Sequence, residues 1–462
     1  MRVLFLTYDH PFRNRSGVAA YCRDLLQELA GRGIEVVHLY SCERGWTPGL
    51  KLRQWTEGGV RFAAVVNSPA PPALSPERPL QDCGHSGLER LLAGFLRDVR
   101  PDVVHVHTLM GFTGSVVQVA KRLGFPVVLT LHDFWPLCAR VSLVRPDGTA
   151  CTGPEGGVNC ARFCAGKDSL RRRAYRRLIA ALPRGTVRRA VEGGAELYLR
   201  ARARSPQEGQ ARSHRVPRLQ EARAHGERAR RLLQDLLAAD RLLAVSHFVR
   251  EAYARHGIPQ DRITVLPLGL ALTDQVRWRV RTARHPVRFG YLGRLSPLKG
   301  AHLLAQAAGG VPADSARFLF FGPGGPALRA ELQRLAGNRP LEFRGPYRRE
   351  DLPRVLEEID VAVVPTLFQE TVGLTALEPQ AAGIPVIASA AGALPEWVAH
   401  EHNGLLFPPG DGEALRRLIL RVVEDPELVS RLSAQTRPPR SMADHAEELL
   451  DIYAQCRRAC RV

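Results

Sequence analysis

The 462 residues of this chain are more than one ordinary hydrophobic core organises, so two large domains are expected. With 45% hydrophobic and 24% charged residues the composition is that of soluble globular proteins, and no apolar run reaches the ~20 residues of a membrane span. Nine cysteines in so long a chain disfavour a secreted disulfide scaffold, and residues 1–9 resemble a first β-strand more than a signal peptide, which predicts a cytoplasmic protein.

The positive charge is concentrated in one segment. Residues 167–231 contain 19 Lys and Arg against 6 Asp and Glu, which accounts for most of the formal net charge of +19. The basic character therefore belongs to an Arg- and Ala-rich insertion at 167–232, for which we expect helices. It does not by itself indicate a nucleic-acid-binding fold.

Short β-branched runs alternate with helical patterns along the chain, which predicts βαβ units and parallel sheets. Helical spacing of apolar residues fills the gaps between these runs, for example at 18–32 and 301–308. The candidate strands, in chain order, are 3–7, 35–39, 60–66, 103–107, 127–131, 242–245, 263–266, 287–292, 318–321, 341–343, 361–364, 386–388 and 405–407.

A polar stretch without periodicity, at 274–286, separates two similar series of strands. We therefore predict an α/β protein with two Rossmann-like, doubly wound domains facing across a cleft. The first would cover 1–275 and the second 284–435. Because ligands of open parallel sheets lie beyond the carboxyl ends of the strands, functional residues are expected just after strands.

Glycines and cations follow two neighbouring strands of the second series. Gly293, Arg294 and Lys299 form one loop, in which glycine permits close backbone approach and the cations can donate to a phosphate group. Both cations could instead be ordinary surface residues at a helix start. Gly322 and Gly324 come after the next strand, where they could contact a base or sugar or serve turn geometry alone.

Two carboxylates flank a glycine turn further along. Glu370 precedes Gly373, and Glu378 lies about two helical turns beyond Glu370. Carboxylates accept hydrogen bonds from hydroxyl groups, so the pair suits the diols of ribose and hexoses. The alternative is an acidic helix N-terminus stabilised by the helix dipole.

Histidines mark the strand ends of the first series. His105 and His107 lie on one face of a strand, and His132 with Asp133 ends the next strand. The terminal position favours His107 as the residue that faces the cleft, whereas a packed core histidine is as good an interpretation of His105. The spacing provides no third ligand for a metal ion.

Gly17 opens a helix after the first strand, where backbone amides could face a diphosphate. The chain contains no Asp-x-Asp sequence, so a metal-dependent sugar-nucleotide site of that type is unsupported. The charge of a diphosphate would instead be met by Arg294, Lys299 and helix amides.

Taken together, these features resemble the retaining glycosyltransferases of family 4, which have the two-domain GT-B fold. The most specific element is an E-x7-E pattern formed by Glu370 and Glu378, followed by GIPVIAS at 383–389 and NGLLFPPGD at 403–411. The resemblance extends over the whole chain apart from the insertion. It also implies that a C-terminal helix within 440–462 returns to the first domain.

The resemblance implies roles for the candidate site residues. Arg294 and Lys299 would hold the donor diphosphate, Glu378 the ribose hydroxyls and Glu370 the transferred sugar. His107 would lie at the reacting centre. The remaining donor-binding positions would be Gly17, Gly293, Gly322, Gly324 and Gly373.

The implied activity is sugar transfer, with retention of configuration, from a UDP- or GDP-sugar to a hydroxyl acceptor in polysaccharide or glycolipid assembly. No metal or other cofactor would take part. The alternative is a non-catalytic binding protein that uses the insertion on a membrane surface or nucleic acid. A nicotinamide-dependent oxidoreductase is disfavoured because no strand is followed by G-x-G-x-x-G.

Residues 171–184 of the insertion combine an arginine-rich face with apolar residues. Such a segment suits an anionic membrane surface and a lipid-linked acceptor, which would place the protein at the inner membrane face. A solvated helical excursion is the plainer interpretation. Nucleic acid is less favoured, since aromatic residues are scarce there.

Four cysteines, Cys138, Cys151, Cys160 and Cys164, follow the fifth candidate strand. They could form a structural zinc site. Their spacings of 12, 8 and 3 intervening residues are not those of a standard zinc finger, and reduced thiols without metal are the alternative.

Overall fold

The computed structural model describes residues 1–13, 16–164, 178 and 219–460. The chain forms two compact units. Unit 1 comprises Met1–Val245, Val249–Leu266 and Ala446–Val462, and unit 2 comprises Ser246–Phe248 and Pro267–His445. The end of the chain, from Ala446 onward, thus belongs to the same unit as its beginning.

Unit 1 is built on an eight-stranded sheet with the order β3-β4-β2-β1-β5-β6-β7-β8. β3 runs antiparallel to β4 at one edge, and the other neighbouring strands pair in parallel. The strands are β1 (Arg2–Thr7), β2 (Glu35–Glu43), β3 (Lys51–Glu57), β4 (Val60–Val66), β5 (Val103–Val106), β6 (Val127–Leu131), β7 (Arg241–Ala244) and β8 (Ile263–Val265).

Central strands such as β5 and β6 are buried throughout, as expected of a parallel sheet with helices on both faces. The first helix begins at the cap Ser16, whose hydroxyl accepts from the amide of Ala19. Among the described residues, the helices of unit 1 are α1 (Gly17–Gly31), α2 (Ser86–Val99), α3 (Ser115–Arg122), α4 (Leu219–Leu237) and α5 (His247–Arg255) from Val249 onward, together with the last helix from Ala446 onward.

Unit 2 is built on a six-stranded parallel sheet with the order β11-β10-β9-β12-β13-β14. Alternate residues enter different cores: Phe318 and Phe320 pack on one face of the sheet, and Leu319 and Phe321 on the other. The strands are β9 (Val287–Leu292), β10 (Ala316–Phe321), β11 (Glu342–Gly345), β12 (Val361–Val364), β13 (Val386–Ser389) and β14 (Gly404–Phe407).

Seven helices follow in the described part of the chain before the last one: five lie between strands, and two come after β14. These are α6 (Ala301–Gly309), α7 (Pro326–Leu335), α8 (Leu352–Glu357), α9 (Leu374–Ala381), α10 (Leu394–Trp397), α11 (Gly412–Glu424) and α12 (Glu427–Gln435). The last helix of the chain is α13 (Met442–Ala459).

The predicted fold class is confirmed: the chain has two α/β units, each with a parallel sheet. Every candidate strand is present, with ends that differ by a few residues. The edge strand Lys51–Glu57 was missed, because its sequence KLRQWTE is polar and largely exposed and therefore lacks the apolar pattern of a buried strand.

Most of the predicted basic insertion lies outside the described residues, which omit 165–177 and 179–218. Its final part, 219–232, belongs to α4, which buries Ala222, Ala229 and Leu232 in unit 1. In the part of the chain that the structure describes, no helix is both long enough and apolar enough to cross a bilayer.

A buried ion pair fastens α4 to the rest of unit 1. Arg228 donates from Nε to Asp82 at 2.6 Å and from Nη2 to the carbonyl of Trp135 at 2.7 Å, while its guanidinium lies 4.7 Å from the centre of the Trp135 ring. Asp82 also accepts from the Ser75 hydroxyl at 3.0 Å. Both charged side chains are almost fully buried.

We expect Arg228→Met to lower the free energy of unfolding by about 3–5 kcal/mol, because it leaves the Asp82 carboxylate buried without its cation. Equilibrium urea denaturation measures this loss. Arg230→Met, on the exposed side of the same helix, is the matched control and should change stability by less than about 0.5 kcal/mol. Equal effects of the two substitutions would contradict the structural role of the pair.

Candidate functional site

The candidate donor-site residues of unit 2 lie at the carboxyl edge of its sheet. β9 leads into Gly293 and Arg294, β10 into Gly322, and β12 into the loop that contains Glu370. These three strands are neighbours in the order β10-β9-β12. Parallel pairing therefore brings their loops to one edge, which is where ligands of open α/β sheets bind.

Glycine allows two of these loops to touch through their backbones. A Cβ on Gly322, whose φ is +148°, would lie 1.9 Å from the carbonyl oxygen of Gly293. A Cβ on Gly324 would lie 2.5 Å from the side chain of Leu295. Both glycines are thus required by the packing of the loops, which is the geometric role that the sequence left open for them.

A third glycine fixes the position of Lys299. Gly300 has a φ of +71°, and a Cβ there would lie 1.7 Å from the carbonyl oxygen of Pro365. The short 3₁₀ turn Pro297–Lys299 therefore packs against the start of the loop that carries Glu370. The helix α6 begins directly after this contact.

Lys299 and Glu370 form an ion pair at this edge. The Lys299 Nζ donates to Glu370 Oε1 at 2.6 Å and lies 5.0 Å from the centre of the Phe368 ring. Glu370 as a residue is only 7% exposed. Arg294 is exposed and, among the residues that the structure describes, forms no ion pair.

The main chain also holds Glu370 in place. Its carbonyl accepts from the amide of Ala393 at 2.8 Å. Gly392, with a φ of +62°, lies so close that a Cβ there would be 2.2 Å from the same carbonyl oxygen. Gly373 has a φ of +81° and begins α9, packed against Leu394.

Glu378 lies in α9, is 6% exposed and accepts from Arg349 Nη1 at 2.8 Å. Arg349 comes from the loop after β11, so a fourth strand end contributes to this edge. The helix includes Pro379 and continues to Ala381. This short helix therefore tolerates Pro379, which has no backbone N–H to donate.

Two tyrosines lie near the carboxylates: Tyr291 is buried, and Tyr347 is partly buried. Burial and the neighbouring charge of Glu370 raise the pKa of Tyr291 above its usual value. Burial, followed by the charge of Glu378, raises the pKa of Tyr347 in the same way. The neighbouring Tyr347 also contributes to raising the pKa of Tyr291.

Sequence reasoning missed Tyr291, Tyr347 and Arg349. The rule that functional residues follow strands could have identified Tyr347 and Arg349, because they come directly after β11 in the sequence GPYRRE. Tyr291 lies inside β9 and has no such signal. Its position follows only from the packing of the loops.

His107 belongs to unit 1, directly after β5. Its side chain is 1% exposed, and its Nδ1 lies 3.2 Å from Nε2 of His132. The ring also makes edge contacts with Phe5 and Tyr21, at centroid distances of 4.7 and 5.9 Å. The strand end thus carries a packed pair of imidazoles.

His105 is a packed core histidine, one of the two interpretations that its sequence position allowed. Its Nδ1 lies 2.6 Å from the hydroxyl of Tyr453 in α13, and its Nε2 lies 2.8 Å from Oγ1 of Thr130. With both ring nitrogens engaged, His105 ties α13 to the sheet of unit 1.

Gly17 is the exposed first residue of α1 in unit 1. Its neighbour Ser16 caps the helix and also donates to Asp9 at 3.2 Å. Because β1 and β5 are adjacent in the sheet, Gly17 and His107 follow neighbouring strands. The helix starts at the edge where its amides can meet an anion.

The four clustered cysteines are all free thiols. Burial raises the pKa of Cys138, and burial together with the nearby Cys138, Cys164 and Cys151 raises that of Cys160. Among the described residues, no group of three or more His, Cys, Asp or Glu side chains is spaced to hold a metal ion. Zinc at these cysteines stays a prediction.

Comparison with protein families gives a match for each half of the chain. The model described as "Glycosyl transferase 4-like domain" matches residues 16–190, and "Glycosyl transferases group 1" matches residues 286–425. Together they cover about two thirds of the chain. Both models describe glycosyltransferases, so these matches do not favour the alternative of a non-catalytic binding protein.

Similar sequences include D-inositol 3-phosphate glycosyltransferases. The protein from Streptomyces bingchenggensis is 29% identical over 256 residues, which cover 48% of this chain and 54% of that protein. The one from Mycolicibacterium smegmatis is 32% identical over 235 residues, covering 47% and 53%. The chain thus spans about half the length of these relatives.

Solved structures share the fold over nearly the whole chain. Sucrose-phosphate synthase from Thermosynechococcus elongatus has a TM-score of 0.61 at 18% identity and covers 99% of both chains. Anabaena HepE in complex with UDP and glucose has a TM-score of 0.59 at 15% identity, covering 98% of this chain and 99% of that one. The chain thus has the GT-B fold, with two parallel-sheet units, and each half matches a family model of glycosyltransferases.

Proposed function

We propose that the protein transfers a sugar from a nucleoside-diphosphate sugar to a hydroxyl group of an acceptor. The observation that carries the proposal is the ion pair between Lys299 and Glu370, beside the exposed Arg294, at the carboxyl edge of the unit 2 sheet. A pyrophosphate attached to a sugar needs such a combination: cations for the phosphates and carboxylates for the hydroxyls.

In this proposal the diphosphate binds to Arg294 and Lys299. A guanidinium presents paired donors to phosphate oxygens, and an ammonium adds a compact positive charge. The first amides of α6 follow Lys299 and add the positive end of the helix dipole. The backbone at Gly293 and Gly322 completes the surface that the phosphates and the nucleoside contact.

The two glutamates of the E-x7-E pattern bind the sugars. Glu370 accepts hydrogen bonds from hydroxyls of the transferred sugar, and Glu378 accepts from the ribose diol. Arg349 orients Glu378 through its 2.8 Å contact. The structure of HepE was determined with UDP and glucose, which supports a UDP-sugar, although a GDP-sugar satisfies the same contacts.

The reaction we propose retains the anomeric configuration. The bond between the anomeric carbon and the β-phosphate oxygen breaks as the acceptor oxygen bonds to the same face of that carbon. The proton of the acceptor hydroxyl passes to the departing phosphate oxygen. Arg294 and Lys299 stabilise the negative charge that develops there, which is usually the largest contribution in such sites.

His107 is proposed as the residue of unit 1 that contacts the transferred sugar, with Gly17 near the phosphates. We propose that the reaction needs no metal, since the chain has no Asp-x-Asp and its cations can serve the diphosphate. The acceptor would belong to polysaccharide or glycolipid assembly, at the cytoplasmic face of the membrane. The similar Erwinia amylovora protein AmsK is described as an amylovoran biosynthesis glycosyltransferase and is 27% identical over 191 residues.

We expect Glu370→Gln and Arg294→Gln each to lower the rate of transfer by about a hundredfold or more, because each removes a charge used in the transition state. The measurement is release of nucleoside diphosphate from whichever UDP- or GDP-sugar supports turnover. Thermal unfolding should show an unchanged fold for Arg294→Gln, whose side chain is exposed. Arg334→Gln, an exposed arginine of α7, is the matched control. Full activity in either site variant would refute the donor site.

Arg349→Gln tests how Glu378 is positioned. If Glu378 holds the ribose equally in the ground and transition states, loss of the Arg349 contact should raise KM for the donor about tenfold and leave kcat nearly unchanged. Its exposed neighbour Arg348→Gln should leave both constants unchanged. A lower kcat at constant KM in Arg349→Gln would rule out this positioning role.

Removal of divalent cations tests the proposed independence from metal. Turnover after dialysis against EDTA should equal turnover before it, because Arg294 and Lys299 carry the charge that a metal would otherwise carry. Nuclear magnetic resonance of the product should show the same anomeric configuration as the donor. Activity that falls with EDTA and returns with Mg²⁺ or Mn²⁺, or an inverted product, would count against the mechanism.

A further inference from the structure

Unit 2 has a second concentration of charge, at the edge opposite the proposed donor site. The polar segment before β9 carries Arg277, Arg279 and Arg281, and α8 carries Arg354 in its last turn. These residues precede strands β9 and β12, so they lie at the amino edge of the sheet. We call Arg277, Arg279 and Arg354 the amino-edge cluster.

The segment that carries these arginines is anchored to the body of unit 2. The amide of Arg281 donates to Oγ of Ser433 at 2.7 Å, and the indole of Trp278 donates to Thr436 at 2.9 Å. The carbonyl of Arg279 packs so closely on Gly383 that a Cβ there would lie 1.9 Å away. The cluster is therefore presented by backbone whose position is fixed.

The carboxylates near the cluster are already shared between arginines. Glu357 accepts from Arg279 at 2.6 Å and from both terminal nitrogens of Arg281 at 3.1 Å. Arg281 also donates to the carbonyl of Ala382 at 2.9 Å, so it satisfies a helix C-terminus. Through these contacts Arg281, and in part Arg279, stabilise the fold of unit 2.

The same explanation does not cover the other two arginines. Among the described residues, Arg277 and Arg354 form no ion pair and no side-chain hydrogen bond, although Glu357 and Ala382, the residue after α9, line the same cavity. With Arg279 they line a cavity of about 290 Å³, in which Glu357 is the one carboxylate. Gln275 and Pro353 also line this cavity.

From this arrangement we propose that the amino-edge cluster binds a phosphate-bearing ligand. Three arginines line one cavity, and the single carboxylate among its lining residues, Glu357, is already paired with Arg279 and Arg281, so the cavity has an excess of positive charge that an anion would balance. Guanidinium groups bind phosphate oxygens with paired hydrogen bonds, and the amide of Gln275 adds a further donor. The site lies at the edge of the sheet opposite Arg294, so it stands whether or not the proposed transfer reaction is correct.

Such a ligand can be a free phosphate compound or the headgroup of an anionic lipid. Isothermal titration with inorganic pyrophosphate tests the first source. Co-sedimentation with vesicles of phosphatidylglycerol in phosphatidylcholine, against vesicles of phosphatidylcholine alone, tests the second. Binding through exposed arginines should weaken as NaCl is raised.

The decisive variant is Arg277→Gln/Arg354→Gln, which removes two cations that support no described contact and should therefore leave the thermal unfolding temperature unchanged. The control Arg334→Gln/Arg417→Gln removes the same charge from exposed arginines of α7 and α11. Arg294→Gln changes the proposed donor site and leaves the amino-edge cluster intact. It should therefore leave the binding of the probes to the cluster unchanged.

We expect the cluster variant to weaken at least one of the two interactions about tenfold or more relative to the control variant. Loss of pyrophosphate binding alone identifies a soluble ligand, and loss of vesicle binding identifies a lipid headgroup. Equal binding by the cluster and control variants in both experiments would overturn the proposal. The absence of any binding by the wild-type protein would do the same.

Discussion

The carboxylate of Glu370 and the ammonium of Lys299 lie 2.6 Å apart, and two close backbone contacts hold the loops that carry them. Gly300 packs on Pro365 ahead of Lys299, and Gly392 packs on the carbonyl of Glu370 itself. A side chain at either glycine would meet backbone at less than 2.5 Å. The electrostatics of the candidate site therefore depends on close backbone contacts, more than on the choice of charged residues alone.

These contacts also explain why the charges lie at one edge of the sheet. β10, β9 and β12 are adjacent and parallel, so their carboxyl ends deliver glycine, arginine and glutamate side by side. Arg349 donates to Glu378, and Tyr291 and Tyr347 lie near Glu370 and Glu378, respectively. In a site of this kind the groups are oriented before the ligand arrives, which is the condition for electrostatic stabilisation of a transition state.

The sequence predicted the parts of this structure that repeat and missed those that depend on packing. Short apolar runs identified every buried strand, and the strand-end rule predicted the loops that bring Arg294, Lys299, Glu370 and Glu378 to one edge of the unit 2 sheet. The exposed edge strand Lys51–Glu57 escaped because it has no buried face. The contact of Arg349 with Glu378 and the burial of Arg228 against Asp82 join residues 29 and 146 positions apart, for which a single sequence has no local signal.

The burial of His107 is also a feature that the sequence alone did not reveal. Its position at the end of β5 predicted an imidazole facing the cleft, whereas unit 1 holds it beside His132 and Phe5 with 1% of its surface exposed. A residue can end a strand and still be covered by its neighbours. Its contact with the transferred sugar stays a prediction.

The central claim is that cations and carboxylates of unit 2 form one nucleotide-sugar site, and calorimetry tests it most directly. Titration of the wild-type chain with a panel of UDP-, GDP- and ADP-sugars should give saturable binding of one donor per chain for at least one member. Competition by the matching nucleoside diphosphate should displace it. If no member of the panel binds, the site at this edge is not a donor site, and the proposed transfer reaction fails with it.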